Sequence, residues 1–167
     1  MEKTAAFIGP RVQKFQFGSD EKHPDCIQIK KDLQETVISL YQNTGTYQFL
    51  CGTSFGFEIW AAEILVGLKE EYLEMELHCI EPYAGHTENW SIPRKERYAY
   101  ILQNATGMYQ LGVDKHYVSC YKEQKEFLIE HADTIISVSG RHIKPGGGSA
   151  QIINLAREKG KRTIFVT

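Results

Sequence analysis

Thr134-Ile135-Ile136-Ser137-Val138 reads as a short buried strand, and Lys144-Pro145-Gly146-Gly147-Gly148-Ser149 follows it directly ahead of a helical pattern from Ser149 to about Lys159. That order of strand, glycine loop and helix decides the fold class. Three consecutive glycines let the backbone approach a ligand without side chains in the way. The first amides of the next helix are unpaired and lie at the positive end of its dipole, so the junction predicts a phosphate-holding loop at Gly146, Gly147, Gly148 and Ser149.

The same alternation runs through the rest of the chain. Strands are expected at Thr4 to Ile8, Tyr47 to Cys51, Glu76 to Ile80 and Thr163 to Val166, with shorter β-type runs at Met108 to Leu111 and His116 to Val118. Helices are expected from Asp25 to about Asn43, with Leu33, Val37, Leu40 and Tyr41 on one face, and from Gly56 to about Tyr72, with Trp60, Ile64 and Leu68 at i, i+4 spacing. Two more read from about Pro93 to Asn104 and from Lys122 to His131, and the last strand follows the helix that stops near Gly160. Strands separated by helices imply right-handed crossovers and a parallel sheet covered on both faces. The predicted fold is therefore α/β: a Rossmann-like, three-layer αβα sandwich with a mostly parallel sheet. With 167 residues, 42% of them hydrophobic, the chain suits one core, and residues 1–167 are read as a single domain.

Ligands of open parallel sheets bind outside the carboxyl ends of the strands, which directs attention to the loops that follow them. After the first strand come Gly9, Pro10 and Arg11. A glycine permits a tight exit, and a guanidinium at that edge suits a bidentate grip on phosphate. After the second strand, Gly52 and Gly56 flank the hydroxyls of Thr53 and Ser54, and Glu58 falls in the first helical turn. Thr53 or Ser54 also suits the helix cap. Glu58 is placed to accept from a sugar hydroxyl, and a carboxylate is equally favoured there by the helix dipole. A further polar segment, Pro82 to Arg97, offers Tyr83 and Trp90 as stacking surfaces for a base.

Other chemistries find little support. The six histidines never form a ligand pair, and the four cysteines are scattered without a C-x-x-C, so no metal site is expected and the thiols are read as reduced apolar filler. Neither a G-x-S-x-G elbow nor a P-loop occurs. Nineteen basic and 21 acidic residues give a net charge of -2, and no basic stripe with interleaved aromatics is visible, so strong nucleic-acid binding is not expected. No apolar run approaches a membrane span, and Met1 to Ile8 lacks a signal-peptide core, so the expected location is cytoplasmic with no membrane partner. Pairing of copies through exposed helix faces stays open, since no residue dictates a dimer.

Together these loops resemble the YpsA-type branch of the SLOG superfamily, bacterial Rossmann-like domains related to the DprA and LOG proteins. The resemblance runs nearly end to end and rests on Gly9 and Arg11, on Cys51-Gly52 through Gly56-Phe57-Glu58-Ile59-Trp60-Ala61-Ala62-Glu63, on Pro82-Tyr83, Trp90 and Arg97-Tyr98, on Ala132-Asp133, and on Gly147-Gly148-Ser149 leading to Ala156. It implies a nucleotide or nucleotide-derived ligand held among Gly9, Arg11, Gly52, Thr53, Ser54, Gly56, Glu58, Gly146, Gly147, Gly148 and Ser149, with no required cofactor. Several positions depart from the pattern: Ile8-Gly9-Pro10-Arg11-Val12 replaces Thr-Gly-His-Arg-Pro, Glu58 replaces an Asp, Ser149 a Thr, and Gln124-Lys125 an Arg-Asn pair. The related LOG enzymes carry a catalytic glutamate in their glycine-loop signature where this chain has Ile153. The leading expectation is thus a nucleotide-binding sensor or regulatory domain, the catalytic residues unknown. The alternatives are a nucleotide N-glycosidase, with Glu58 or Glu88 as its carboxylate, and DprA-like handling of single-stranded DNA.

Overall fold

The computed structural model describes residues 3–112, 117–146 and 150–167. Among these residues six strands form one sheet: β1 (Thr4–Phe7), β2 (Gln48–Cys51), β3 (Glu76–Tyr83), β4 (Gly107–Gly112), β5 (Thr134–Val138) and β6 (Arg162–Val166), in the spatial order β4-β3-β2-β1-β5-β6. Every neighbouring pair is parallel. The helices that connect them are α1 (Pro24–Thr44), α2 (Phe57–Leu68), α3 (Ile92–Asn104), α4 (Tyr117–His131) and α5 (Ala150–Glu158). The architecture is the expected Rossmann-like α/β sandwich.

Alternation along β1 shows why both faces need helices. Ala5 and Phe7 join one buried cluster with residues of α1, α2 and α3, whereas Ala6 and Ile8 join a second with residues of α4 and α5. Successive side chains of a strand point to opposite faces, so a strand apolar throughout must be covered twice. Helix α1 begins with Pro24 in its first turn and the His23 ring accepting the Asp25 amide at 3.1 Å, and it ends at Gly45, whose φ of 73° favours a residue without a Cβ. Its buried residues Cys26, Ile29, Leu33, Val37 and Leu40 recur every three or four positions. Helix α2 is apolar on nearly all sides because α1, α3 and the sheet surround it.

Two expectations change. Tyr117 and Val118 belong to the first turn of α4 rather than to a strand, while His116 lies outside the described residues. The i, i+4 series Cys120, Gln124 and Leu128, each buried, secures the helix against the β-preference of its first two residues. Strand β3 runs on through Pro82 to Tyr83, past its expected end at Ile80. Its pairing with β2 stops at Cys79, so beyond that point only β4 flanks it and the missing Pro82 amide costs no ladder bond on the β2 side.

The order of the strands locates the site. The chain proceeds from β1 outward through β2, β3 and β4, then returns to the other side of β1 for β5 and β6. The reversal makes the carboxyl ends of β1 and β5 the topological switch point, the place where open α/β sheets bind ligands.

Candidate functional site

Three loops expected to bind ligand are tied into one rim. The segment after β1 pairs on one side with the loop after β2, through an antiparallel bridge between Arg11 and Gly56 and bonds from the Val12 amide to the Phe55 carbonyl and from the Phe57 amide to the Pro10 carbonyl. On its other side it pairs with the loop after β5, through a bridge between Phe15 and Ile143 and bonds from Gln16 to His142 and from Lys144 to Lys14. Eight backbone groups, four amides and four carbonyls, are thereby satisfied within the rim.

Glu58 is the joint beneath it. Its side chain is fully buried at the start of α2, with Oε1 accepting the Ser54 amide at 3.0 Å, and Oε2 accepting the Gly9 amide at 3.4 Å and the Lys125 ammonium of α4 at 2.6 Å. The Cys51 thiol donates to the Glu58 carbonyl at 3.0 Å. One carboxylate thus joins the loops after β1 and β2 to two helices on opposite faces of the sheet. The glycines of these loops have the matching explanation. A Cβ on Gly52 would stand 2.5 Å from Glu58 Oε1, and one on Gly9 would stand 2.3 Å from the Phe57 ring. Neither position tolerates a side chain because the first two side chains of α2 occupy the space.

The hydroxyls behave differently from a cap. Thr53 and Ser54 are buried, and neither caps α2, whose N-cap is Gly56 without a side-chain bond. The Thr53 hydroxyl, in a residue 1% exposed, has no hydrogen-bond partner among the described residues. Buried hydroxyls are rarely left so. Arg11 lies exposed on the rim with its guanidinium 4.8 Å from the centre of the Tyr121 ring, a cation–π contact that holds it over α4. Burial, with Tyr83 beside it, pushes the Tyr121 hydroxyl up to about 12, against the pull of Arg11. Gly146 is exposed, with a φ of 75°. Gly147, Gly148 and Ser149 lie outside the described residues.

The segment after β3 forms a packed joint instead of an open wall. His86 is buried, its Nε2 3.2 Å from the Thr53 carbonyl and its Nδ1 3.8 Å from Glu81 Oε2, which accepts the Tyr98 hydroxyl at 2.5 Å. Burial holds His86 below its ordinary value, although Glu81 draws it upward. Tyr83, Trp90 and Tyr98 all meet the His86 ring edge-on. Trp90 is further packed against Phe55, so it braces the loop after β2. Arg97 is also structural: it grips Glu21 with both terminal nitrogens at 2.6 and 2.9 Å and Glu63 at 2.6 Å, while Lys30 reaches Glu21 at 2.6 Å. Burial works to raise the Glu21 carboxyl, but Arg97 and Lys30 together bring it down to about 2.

Two groups of residues went unrecognised in the sequence. Lys125 registered only as a departure from a family pattern, because nothing local links it to a glutamate 67 positions away. Lys14, Arg141 and Lys144 were not singled out, although the signal was available: residues 8–17 and 139–149 contain Arg11 and these three cations and no carboxylate. All four are exposed. The small net charge of the whole chain conceals a basic rim at the carboxyl edge of the sheet.

Comparison with known proteins bears on the family and the fold. The chain is 29% identical over 140 residues to a UPF0398 protein of Bacillus cereus, covering 83% of this chain and 74% of that one. It is 27% identical over the same shares to a UPF0398 protein of Bacillus thuringiensis. Among solved structures, DprA of Streptococcus pneumoniae superposes with a TM-score of 0.61 at 9% identity, over 97% of this chain and 49% of DprA. DprA of Helicobacter pylori, described for its single-stranded DNA binding mode, superposes with a TM-score of 0.57 at 13% identity, over 96% of this chain and 63% of that protein. The chain therefore spans about half to under two thirds of these DprA proteins, and the likeness is one of fold. It corrects the expectation drawn from net charge that strong nucleic-acid binding is absent: the Helicobacter pylori protein that shares this fold is described as binding single-stranded DNA. No helix among the described residues is long and apolar enough to cross a membrane. The family model described as the YspA SLOG family matches residues 9–166, and the chain belongs to this YpsA branch of the SLOG proteins.

Proposed function

We propose that this protein binds a nucleotide or nucleotide-derived anion on the rim formed by the loops after β1 and β5, and acts as a sensor or regulatory domain. The observation that carries the reading is the rim itself: two loops fastened together by backbone bonds, bearing Arg11, Lys14, Arg141 and Lys144 and no carboxylate between them. Cations gathered at the carboxyl edge of a parallel sheet focus potential on an incoming phosphate. Gly146 to Ser149 would cradle it ahead of α5, and the Thr53 hydroxyl, without a partner among the described residues, is a further hydrogen-bonding group. Binding is favoured over glycosidic cleavage because Glu58 already serves three donors in a buried setting. A catalytic carboxylate has to reach its substrate.

A second reading, an extended single strand laid across the same rim, is favoured by the spread of the four cations over two loops and by the DprA-like fold.

The test is calorimetric titration with nucleoside mono-, di- and triphosphates, dinucleotides, ADP-ribose and an oligothymidylate, at low and high salt. Nucleotide binding that weakens with salt, and that falls about tenfold or more in Arg11→Ala/Arg141→Ala, supports the proposal. An oligonucleotide that binds far more tightly than any mononucleotide favours the second reading. Silence with every ligand, or affinities indifferent to the double variant, refutes the site.

A further inference from the structure

Among the described residues strand β4 is an edge strand, last in the sheet beside β3, and its sequence Gly107-Met108-Tyr109-Gln110-Leu111-Gly112 contains no charge and no proline. Edge strands present a row of unpaired amides and carbonyls, and proteins normally guard them with charges, prolines or bulges. The opposite edge is guarded in this way: β6 begins with Arg162, and the Arg157 guanidinium lies 5.7 Å from the centre of the Phe165 ring. On β4, by contrast, Met108 is 47% exposed and Tyr109 is 51% exposed. We infer that β4 is a pairing surface for the β4 strand of a second copy of this chain, joining two six-stranded sheets into one.

A second copy fits this edge on grounds of charge and of symmetry. Two uncharged strands meet without like-charge repulsion, which a lysine or glutamate anywhere along β4 would introduce twice over. Antiparallel pairing of identical edges places the twofold axis perpendicular to the sheet, so each side chain keeps its face and only residues of like parity pair. With the axis at Tyr109, that residue faces the second copy's Tyr109, Met108 faces Gln110, and Gly107 faces Leu111. The aromatic pair adds cross-strand stabilisation, and the bulkiest aliphatic side chain meets the residue with none. Within each copy Tyr109 leans on the His78 ring at 5.9 Å, which holds it on the face where its counterpart arrives.

The decisive measurement is the mass of the intact chain in solution by light scattering. The wild type should run at twice 19.1 kDa, and Tyr109→Lys and Met108→Lys should run at 19.1 kDa with unchanged circular dichroism. A wild type that is monomeric up to hundreds of micromolar overturns the inference, as does a dimer that survives both substitutions. Should either variant misfold, Tyr109→Cys treated with a short bismaleimide decides: the cysteine opposes itself across the axis and should give a covalent dimer, whereas Lys31→Cys on the exposed side of α1 should not. Absence of that cross-link, or equal cross-linking of both, overturns the pairing.

Discussion

Replacing Lys125 with methionine removes the ammonium from Glu58 while preserving most of the volume beneath the rim. The pair is 2.6 Å apart, and its carboxylate is 0% exposed with the lysine side chain at 16%, so solvent cannot take over the charge that is left. Two amide donors, from Gly9 and Ser54, remain on the carboxylate. Breaking a buried pair at one end costs about 3–5 kcal/mol, and the surviving amides place this case at about 3 kcal/mol. In a chain of this length that lowers Tm by about 6–12 °C. Urea unfolding of Lys125→Met, Glu58→Gln and the double variant closes a cycle. The reasoning requires the double variant to be more stable than Lys125→Met alone, because a glutamine at 58 keeps an acceptor for the amides and leaves no orphaned charge. A single variant within about 1 kcal/mol of wild type, or a double variant no better than Lys125→Met, would show that Glu58 does not hold the rim through this lysine.

Gly52→Ala should cost several kcal/mol, since its Cβ would press on a carboxylate 2.5 Å away, whereas Gly67→Ala on the exposed side of α2, with nothing within 4 Å, should gain about 0.5–1 kcal/mol in the same urea series. Glu21 has its folded value depressed to about 2 from an ordinary 4.5, so it contributes stability that is complete above pH 4.5 and is lost as pH falls from there toward 2. Arg97→Ala should therefore cost about 1–2 kcal/mol at neutral pH after allowance for solvent screening, and its deficit against wild type should shrink across that acid window in pH-dependent denaturation. At the rim, Lys14→Ala/Lys144→Ala should weaken nucleotide binding and flatten its salt dependence while leaving Tm nearly unchanged, because all the affected side chains are exposed.

Most of the fold was legible because it is written in local periodicity. The strand at Thr134–Val138 appeared at its observed bounds, and α1, α2 and α3 emerged from three- and four-residue spacing of apolar side chains. Tyr117 and Val118 misled for the same reason: two β-preferring residues carry no information about the Leu128 and Ile129 core that recruits their helix. The continuation of β3 through Pro82 was equally hidden, since it depends on β2 having ended alongside.

From the sequence alone follow the parallel α/β sandwich, the loops that face its carboxyl edge, the glycines within them and the family to which they belong, all of which depend on residues near one another in the chain. Tertiary structure alone decided what those glycines and Glu58 do. Gly9 and Gly52 are small because Phe57 and the Glu58 carboxylate pack against them, and that carboxylate is held by Lys125, 67 residues away. The basic rim likewise arises only when the loops after β1 and β5 are brought together. A charge pair or a potential depends on distance in space, and distance along the chain does not reveal it.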